Sequence, residues 1–165
     1  MKYFLFLSIF STLTFSSFGQ TTLLKNETLL FTFTTRTGKI MLLSMDKMDN
    51  SVNYRFGTAK RTELKFHSIK SDSTHKITYS FYLRGGGPSN EGMDLNYVYF
   101  INDGFQYVIF DNYYAAENKK TTGLKIINLK TKETTHIKAN DKTIKGNLVQ
   151  FRDNKVLDIG EELFD

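Results

Sequence analysis

The chain has 165 residues, of which 24% are charged and 40% hydrophobic, and its formal net charge is +5. This length corresponds to one domain, and 15 Phe with 9 Tyr exceed the aromatic content of a disordered protein. The absence of Cys excludes disulfides, thiolate metal sites and a Cys nucleophile. The composition therefore indicates one folded domain that depends on its apolar core.

The first 19 residues have the organisation of a secretory signal peptide. Lys2 precedes a mostly apolar run over residues 3–15, and small residues lead to Gly19. The run contains Ser and Thr and falls short of the roughly 20 apolar residues that a membrane-spanning helix needs. We therefore predict cleavage after Gly19, a single β-rich domain over residues 20–165, and a periplasmic or secreted location. An uncleaved anchor is the alternative.

From residue 29 onward, apolar and polar residues alternate with the period of two that is typical of half-buried strands. In the first strand, Leu29, Phe31 and Phe33 are expected to share one face. Thr37-Gly38 is typical of a two-residue hairpin turn, because Gly adopts positive φ without strain. Strands are predicted over residues 29–35, 40–45, 52–56, 63–67 and 75–84, of which the last is expected to be the longest.

The strongest local signal is the segment from Asn102 to Phe105. Asp-Gly between two apolar runs favours a type I′ hairpin, and this turn places Phe100 opposite Tyr107. Both faces of the hairpin are apolar, with Tyr99 and Val108 on the second face. The hairpin is therefore covered on both sides, or one of its faces is a binding surface.

The C-terminal part continues the strand pattern. A second hairpin is predicted from residues 124–129 and 134–139, and residues 148–151 form a short apolar piece. Residues 156–164 are expected to form one or two helical turns with Leu157 and Leu163 inward. Strands that recur every 8–12 residues or so indicate an all-β fold. The prediction is an antiparallel meander that forms a single sandwich or barrel, and it allows a short C-terminal helix.

Residues that could carry catalysis or bind a metal are sparse. His67, His75 and His136 are far apart in the sequence, so a zinc site would need three separate strands to converge. No Gly-x-Ser-x-Gly motif is present, and no pair of carboxylates stands out. The sequence therefore predicts no catalytic residue, no metal and no cofactor.

The Gly-rich stretch between residues 84 and 92 is the first candidate binding site. It is not a phosphate-binding loop of the P-loop type, because Pro88 and then a strand follow the glycines. We interpret it as an exposed loop that inserts into a partner's cleft; a flexible connection between strands is the alternative. The candidate binding residues of this loop are Arg84, Gly85, Gly86, Gly87, Asn90 and Glu91.

Polar residues near the predicted strand ends form the second candidate set, whose members are Arg55, Asp111 and Tyr113. They are expected to lie close to Arg61, Arg84, Asp94 and Tyr114 if the meander closes. A mixture of Tyr, Arg and Asp is typical of protein-binding hot spots. Ordinary solvated faces with cross-strand ion pairs are the alternative. Arg84 and Asp94 are expected to pair at the base of the loop.

Several segments together resemble a pattern found in small secreted or periplasmic bacterial β-proteins of uncharacterised activity. The segments are residues 53–58, 62–66, 79–84, 99–111 and 123–124, and the resemblance covers about residues 52–139. Many such proteins end in a Cys, which this chain lacks. The resemblance implies a small exported β-protein. Small exported β-proteins of this kind include lysozyme inhibitors and immunity proteins against wall-degrading toxins. The link between this chain and those two classes is an analogy of size, export and fold.

These observations favour a secreted, non-enzymatic binding protein, in particular an inhibitor or immunity protein against a cell-wall hydrolase or toxin. Because the chain is basic, an acidic protein or an anionic envelope polymer is the expected partner. Export argues against nucleic acid. The alternatives are a carrier of small apolar ligands with a barrel cavity, and a structural component of an envelope complex.

Overall fold

The computed structural model describes residues 21–68 and 75–164, so the predicted signal peptide and the loop at 69–74 lie outside the described residues. Within them, the chain forms eleven strands and three short 3₁₀ turns. The turns span Pro88–Asn90, Asp141–Thr143 and Val149–Arg152. The strands are β1 (Glu27–Thr34), β2 (Ile40–Asp46), β3 (Val52–Gly57), β4 (Thr62–His67), β5 (Thr78–Arg84), β6 (Met93–Asn102), β7 (Phe105–Tyr114), β8 (Lys119–Asn128), β9 (Thr134–Lys138), β10 (Lys145–Gly146) and β11 (Asp158–Ile159).

The strands form two sheets that pack as a sandwich. Sheet I has the order β10-β1-β2-β3-β4, and sheet II has the order β11-β5-β6-β7-β8-β9. All described pairs are antiparallel except β11 with β5, which is parallel. The all-β prediction is confirmed, and of its two forms the sandwich is the observed one, since neither sheet closes into a barrel.

The predicted hairpin between β6 and β7 is confirmed in its turn and its register. Asp103 and Gly104 have φ values of 48° and 77°, as a type I′ turn requires. Phe100 lies opposite Tyr107, and Tyr99 lies opposite Val108. The hairpin is therefore fixed by local chemistry, because two consecutive residues with positive φ match the twist of the flanking strands.

The core between the sheets contains a cluster of aromatic side chains. Phe100 is 1% exposed, and its ring centroid lies 4.3 Å from that of Phe66, 4.8 Å from that of Tyr54 and 5.1 Å from that of Tyr107. Tyr54 and Phe66 come from sheet I, whereas Phe100 and Tyr107 come from sheet II. These rings therefore join the two sheets.

The outer face of sheet II is covered in part by the C-terminal segment. The Phe164 ring packs against Tyr97 and Tyr99 at centroid distances of 5.5 and 4.9 Å. The prediction of helical turns over residues 156–164 is wrong, because Gly160 N–H donates to Tyr79 O and extends the pairing of β11. Leu157 is buried as predicted, but Leu163 is 48% exposed. The covered face agrees with the first of the two alternatives for the hairpin.

A bulge in β1 overturns the predicted faces of that strand. The pairing with β2 shifts between Leu29 and Phe31, so one extra residue lies on β1 at this point. Phe31 and Phe33 are core residues, whereas Leu29 is aligned with Ser44 on the opposite face. The shift also places Glu27 on the outer face of sheet I.

Two further details differ from the sequence prediction. β5 begins at Thr78 and has seven residues, so it is shorter than the ten-residue strands β6, β7 and β8. The turn between β1 and β2 contains three residues rather than two, because Thr35 N–H donates to Lys39 O at 2.7 Å. Gly38 has a φ of 81° there, which fits a three-residue hairpin that ends in a left-handed residue.

The segment after β10 crosses from sheet I to sheet II. Gln150 Nε2 donates to Leu30 O at 2.9 Å, and the buried Phe151 ring lies 5.7 Å from the Tyr79 ring. This crossing brings Arg152 to the inner face of sheet II.

No helix in the described ranges is long and apolar enough to cross a membrane.

Candidate functional site

The Gly-rich loop between β5 and β6 is held by its own hydrogen bonds. Asn90 Nδ2 donates to Gly85 O at 2.9 Å, and Gly92 N–H donates to Gly87 O at 2.8 Å. Gly86 has a φ of 95°, and a Cβ placed on it would lie 2.6 Å from Asn90 Cβ. Glycine is therefore required at position 86, and the loop has one defined path rather than the character of a loose connection.

The same loop is docked on the neighbouring turn of sheet II. Ala115 N–H, from the β7–β8 turn, donates to Gly92 O at 2.8 Å. Arg84 lies 3.6 Å from Glu91, and both side chains are well exposed, so this ion pair contributes little. The expected pair between Arg84 and Asp94 does not form in this structure, because Asp94 pairs with Arg152 instead.

Four side chains form a row across the inner face of sheet II beside this loop. The register of β5, β6, β7 and β8 aligns Leu83, Asp94, Tyr113 and Lys120, and we call them the exposed row. Leu83 is 59% exposed and Tyr113 is 40% exposed, although they share a face with the core. The exposed row therefore presents apolar and charged groups on a sheet surface whose position is fixed.

Arg152 anchors the exposed row to the core. Its guanidinium pairs with Asp94, donates to Asn96 Oδ1 at 2.9 Å and lies 4.7 Å from the centroid of the Phe81 ring. Arg152 Nε also donates to the Tyr79 hydroxyl at 3.3 Å. Burial raises the pKa of Tyr79, and the hydrogen bond from Arg152 opposes part of that rise. The Tyr79 hydroxyl is therefore neutral at pH 7, and the charge of Asp94 is balanced by Arg152.

Asp111 lies behind the exposed row and positions it. Thr122 Oγ1 donates to Asp111 Oδ1 at 2.7 Å, and Lys120 Nζ lies 3.2 Å from the same oxygen. The Asp111 side chain is 5% exposed, whereas that of Lys120 is 55% exposed. Asp111 is therefore a support for Lys120 rather than a contact surface.

Arg55 lies in the other sheet, apart from Asp111 and Tyr113. Its guanidinium forms a bidentate pair with Glu27 on the outer face of sheet I, with Nη1 at 2.7 Å from Oε2. Leu24 N–H donates to the same Glu27 oxygen at 3.2 Å. Burial would raise the pKa of Glu27, but the hydrogen bonds from Arg55 and the Leu24 backbone together lower it. The structure therefore gives Arg55 a buried structural partner.

Of the predicted candidates, the structure brings together Tyr113, Asp111 and the loop residues Gly85, Gly86, Gly87, Asn90 and Glu91 at one end of sheet II. Arg84 and Tyr114 lie at the same strand ends on the opposite face. Sequence reasoning missed Leu83, Lys120 and Arg152 as members of the site. The alternation of apolar and polar residues continues to the end of β5 and could have indicated Leu83. No pattern in the sequence around Arg152 indicates its role.

This end of sheet II combines exposed apolar side chains with paired charges. Within residues 21–68 and 75–164, no three His, Asp or Glu side chains are grouped so that they could hold a metal ion. No protein-family model, no curated protein and no solved structure matches the chain significantly. The site is therefore interpreted from its own geometry.

Proposed function

We propose that the protein is a secreted, non-enzymatic binding protein that inhibits an acidic cell-wall hydrolase or toxin. The observation that carries this proposal is the exposed row, in which the exposed side chains of Leu83 and Tyr113 flank Asp94 and Tyr113 adjoins Lys120. Exposed apolar and aromatic groups with nearby charges are typical of protein-binding hot spots. The 85–92 loop borders this surface, and we propose that it enters the partner's cleft and blocks it sterically.

The charge of the protein supports an acidic partner. Loss of Lys2 with the signal peptide lowers the formal charge from +5 to +4, which favours long-range attraction to an acidic hydrolase. The core supports a binding protein over a carrier of small apolar ligands, because the space between the sheets is filled by side chains such as Tyr54 and Phe100. A structural component of an envelope complex is distinguished by the inhibition experiment below.

The test uses a panel of acidic wall hydrolases with peptidoglycan hydrolysis as the readout. We expect at least one enzyme to be inhibited by the wild-type protein, and the double variant Leu83→Ala with Tyr113→Ala to inhibit it at least about tenfold more weakly. Tyr82→Ala is the matched control, because Tyr82 is 41% exposed on the opposite face of β5. Both variants remove exposed side chains, so both are expected to fold.

Equal inhibition by the double variant would contradict the assignment of the exposed row. Tight binding of an envelope protein without any inhibition would instead support the structural component.

Export is the remaining part of the proposal. We expect the exported protein to begin at Gln20, which an intact mass measurement on protein from the periplasm or the culture medium would establish. Recovery of a form that still begins at Met1 in washed membranes would contradict it.

A further inference from the structure

Strand β9 forms one edge of sheet II, and part of its main chain faces no neighbouring strand in the described residues. Asn128 N–H donates to Glu133 O at 2.9 Å, and Ala139 N–H donates to Thr122 O at 3.0 Å. Main-chain bonds to one neighbour recur at every second residue of an antiparallel strand. The main-chain N–H and C=O groups of Thr134 and of His136 therefore point away from β8. The edge closes only at Ala139, which forms a bridge with Thr35 of sheet I.

Two surface pockets lie on either side of this edge, and His136 lines both. The inner pocket has a volume of about 540 Å³ and lies between β9 and the β1–β2 turn. The outer pocket has a volume of about 510 Å³ and lies beside the C-terminal segment. Successive side chains of a strand point to opposite faces, so a strand added along β9 would direct them alternately towards the two pockets.

The two pockets differ in chemistry. The inner pocket is lined by Arg36, Lys39 and Lys138, and Phe56 and Ile137 supply its apolar wall. Lys39 Nζ is 2.6 Å from Glu63, so Arg36 and Lys138 remain the main positive charges available to a ligand. This lining suits a carboxylate on a short aliphatic stem.

The outer pocket is lined by the apolar side chains of Ile127, Leu163 and Phe164 and by the polar side chains of Lys125, Thr134 and His136. Its apolar surface suits an apolar side chain.

The positive charge also selects among the possible occupants. An edge-to-edge dimer of two β9 strands would bring Lys138 and Arg36 of both copies together, which like-charge repulsion disfavours. Strand β4, which is an edge of sheet I, alternates Glu63 with Lys65 and carries no excess of one sign. The β9 edge is therefore better suited than the β4 edge to a partner strand of opposite charge.

We propose that β9 binds an extended acidic segment of a partner protein by strand addition. The segment pairs with the main chain of Thr134 and His136, places acidic side chains towards the inner pocket and places apolar side chains towards the outer pocket. This surface runs along the β9 edge of sheet II, whereas the exposed row crosses the ends of β5–β8, and the inference does not depend on the proposed inhibition.

The probe is a blocked heptapeptide in which Glu alternates with Val, and the control peptide carries Lys in place of Glu. We expect the Glu peptide alone to bind the wild-type protein and to protect the His136 amide from hydrogen exchange.

His136→Pro removes a donor that faces away from β8, so the edge strand tolerates it. We expect His136→Pro to weaken binding of the Glu peptide by about tenfold or more. His136→Ala keeps the main-chain donor and is expected to bind the peptide nearly as well as the wild type. Lys138→Glu is expected to weaken binding and reduce its salt dependence.

Three results would overturn the proposal. One is the absence of binding by the Glu peptide at about 1 mM. Another is equal binding by His136→Pro, which would show a charged patch without strand addition. The third is a wild-type dimer in sedimentation velocity that His136→Pro abolishes, which would make a second copy of this chain the occupant.

Discussion

Replacement of Phe100 by Ala is expected to lower the free energy of unfolding by about 3–5 kcal/mol. The ring is 1% exposed and contacts aromatic rings from both sheets, so its removal leaves a cavity where the sheets meet. Because these contacts come from β3, β4 and β7, local repacking of one strand cannot fill the space. Urea denaturation with a common m-value measures the loss.

Tyr54→Phe is the matched control for this experiment. The Tyr54 hydroxyl is buried and forms no hydrogen bond, and burial raises its pKa well above the usual value. Its removal is expected to leave stability unchanged or slightly higher, because an unsatisfied polar group is lost while the ring contacts remain. A loss below about 1 kcal/mol for Phe100→Ala would show that this part of the core is open to rearrangement.

Replacement of Arg55 by Met is expected to cost a similar amount, about 3–5 kcal/mol, because it leaves the Glu27 carboxylate buried without its cation. The double variant Glu27→Met with Arg55→Met is expected to be much closer to the wild type, since no uncompensated charge remains. Thermal and urea unfolding of the three proteins measure the difference. If the single variant were as stable as the double variant, the pair would have no structural role.

The pH dependence of the same pair follows from Glu27. Its pKa in the folded protein lies below the ordinary value of 4.5, so folding favours its ionised form. The stabilisation is therefore fully present above the ordinary pKa and is lost as the pH falls through the folded pKa. The stability of the wild type relative to the double variant is expected to decrease as the pH is lowered below 4.5. A constant difference over that range would contradict the assignment.

The parts of the fold that the sequence predicts are those specified by neighbouring residues. The β6–β7 hairpin follows from Asp103-Gly104 because two successive positive φ angles define both the turn and the register. The β8–β9 hairpin likewise appears where residues 124–129 and 134–139 predict it. The course of residues 156–164 could not be predicted in this way. It depends on contacts with Tyr79, Tyr97 and Tyr99, which are distant in the sequence.

In the candidate site, too, the features specified by neighbouring residues could be predicted, and those that depend on distant contacts could not. The 85–92 loop and Tyr113 could be selected from composition and position at a strand end, and they lie at the same end of sheet II. Arg152 reaches Asp94 across 58 positions of the chain, and Arg55 reaches Glu27 across 28. Pairings at such distances depend on the sheet order and on the bulge in β1, and neither leaves a local pattern.

The bulge in β1 acts as a phase shift in an otherwise periodic strand. Residues 27–29 are out of phase with residues 31–33, and this offset places Glu27 beside Arg55 while Phe31 and Phe33 fill the core. If residues 27–33 all paired with β2 without a bulge, strict alternation would put Glu27, Phe31 and Phe33 on one face, and either the carboxylate or both Phe rings would lie on the wrong side. The constraint in β1 therefore falls on the accommodation of one extra residue between Leu29 and Phe31, and a strand that lacked this residue would still place Glu27 on the outer face and both Phe rings in the core.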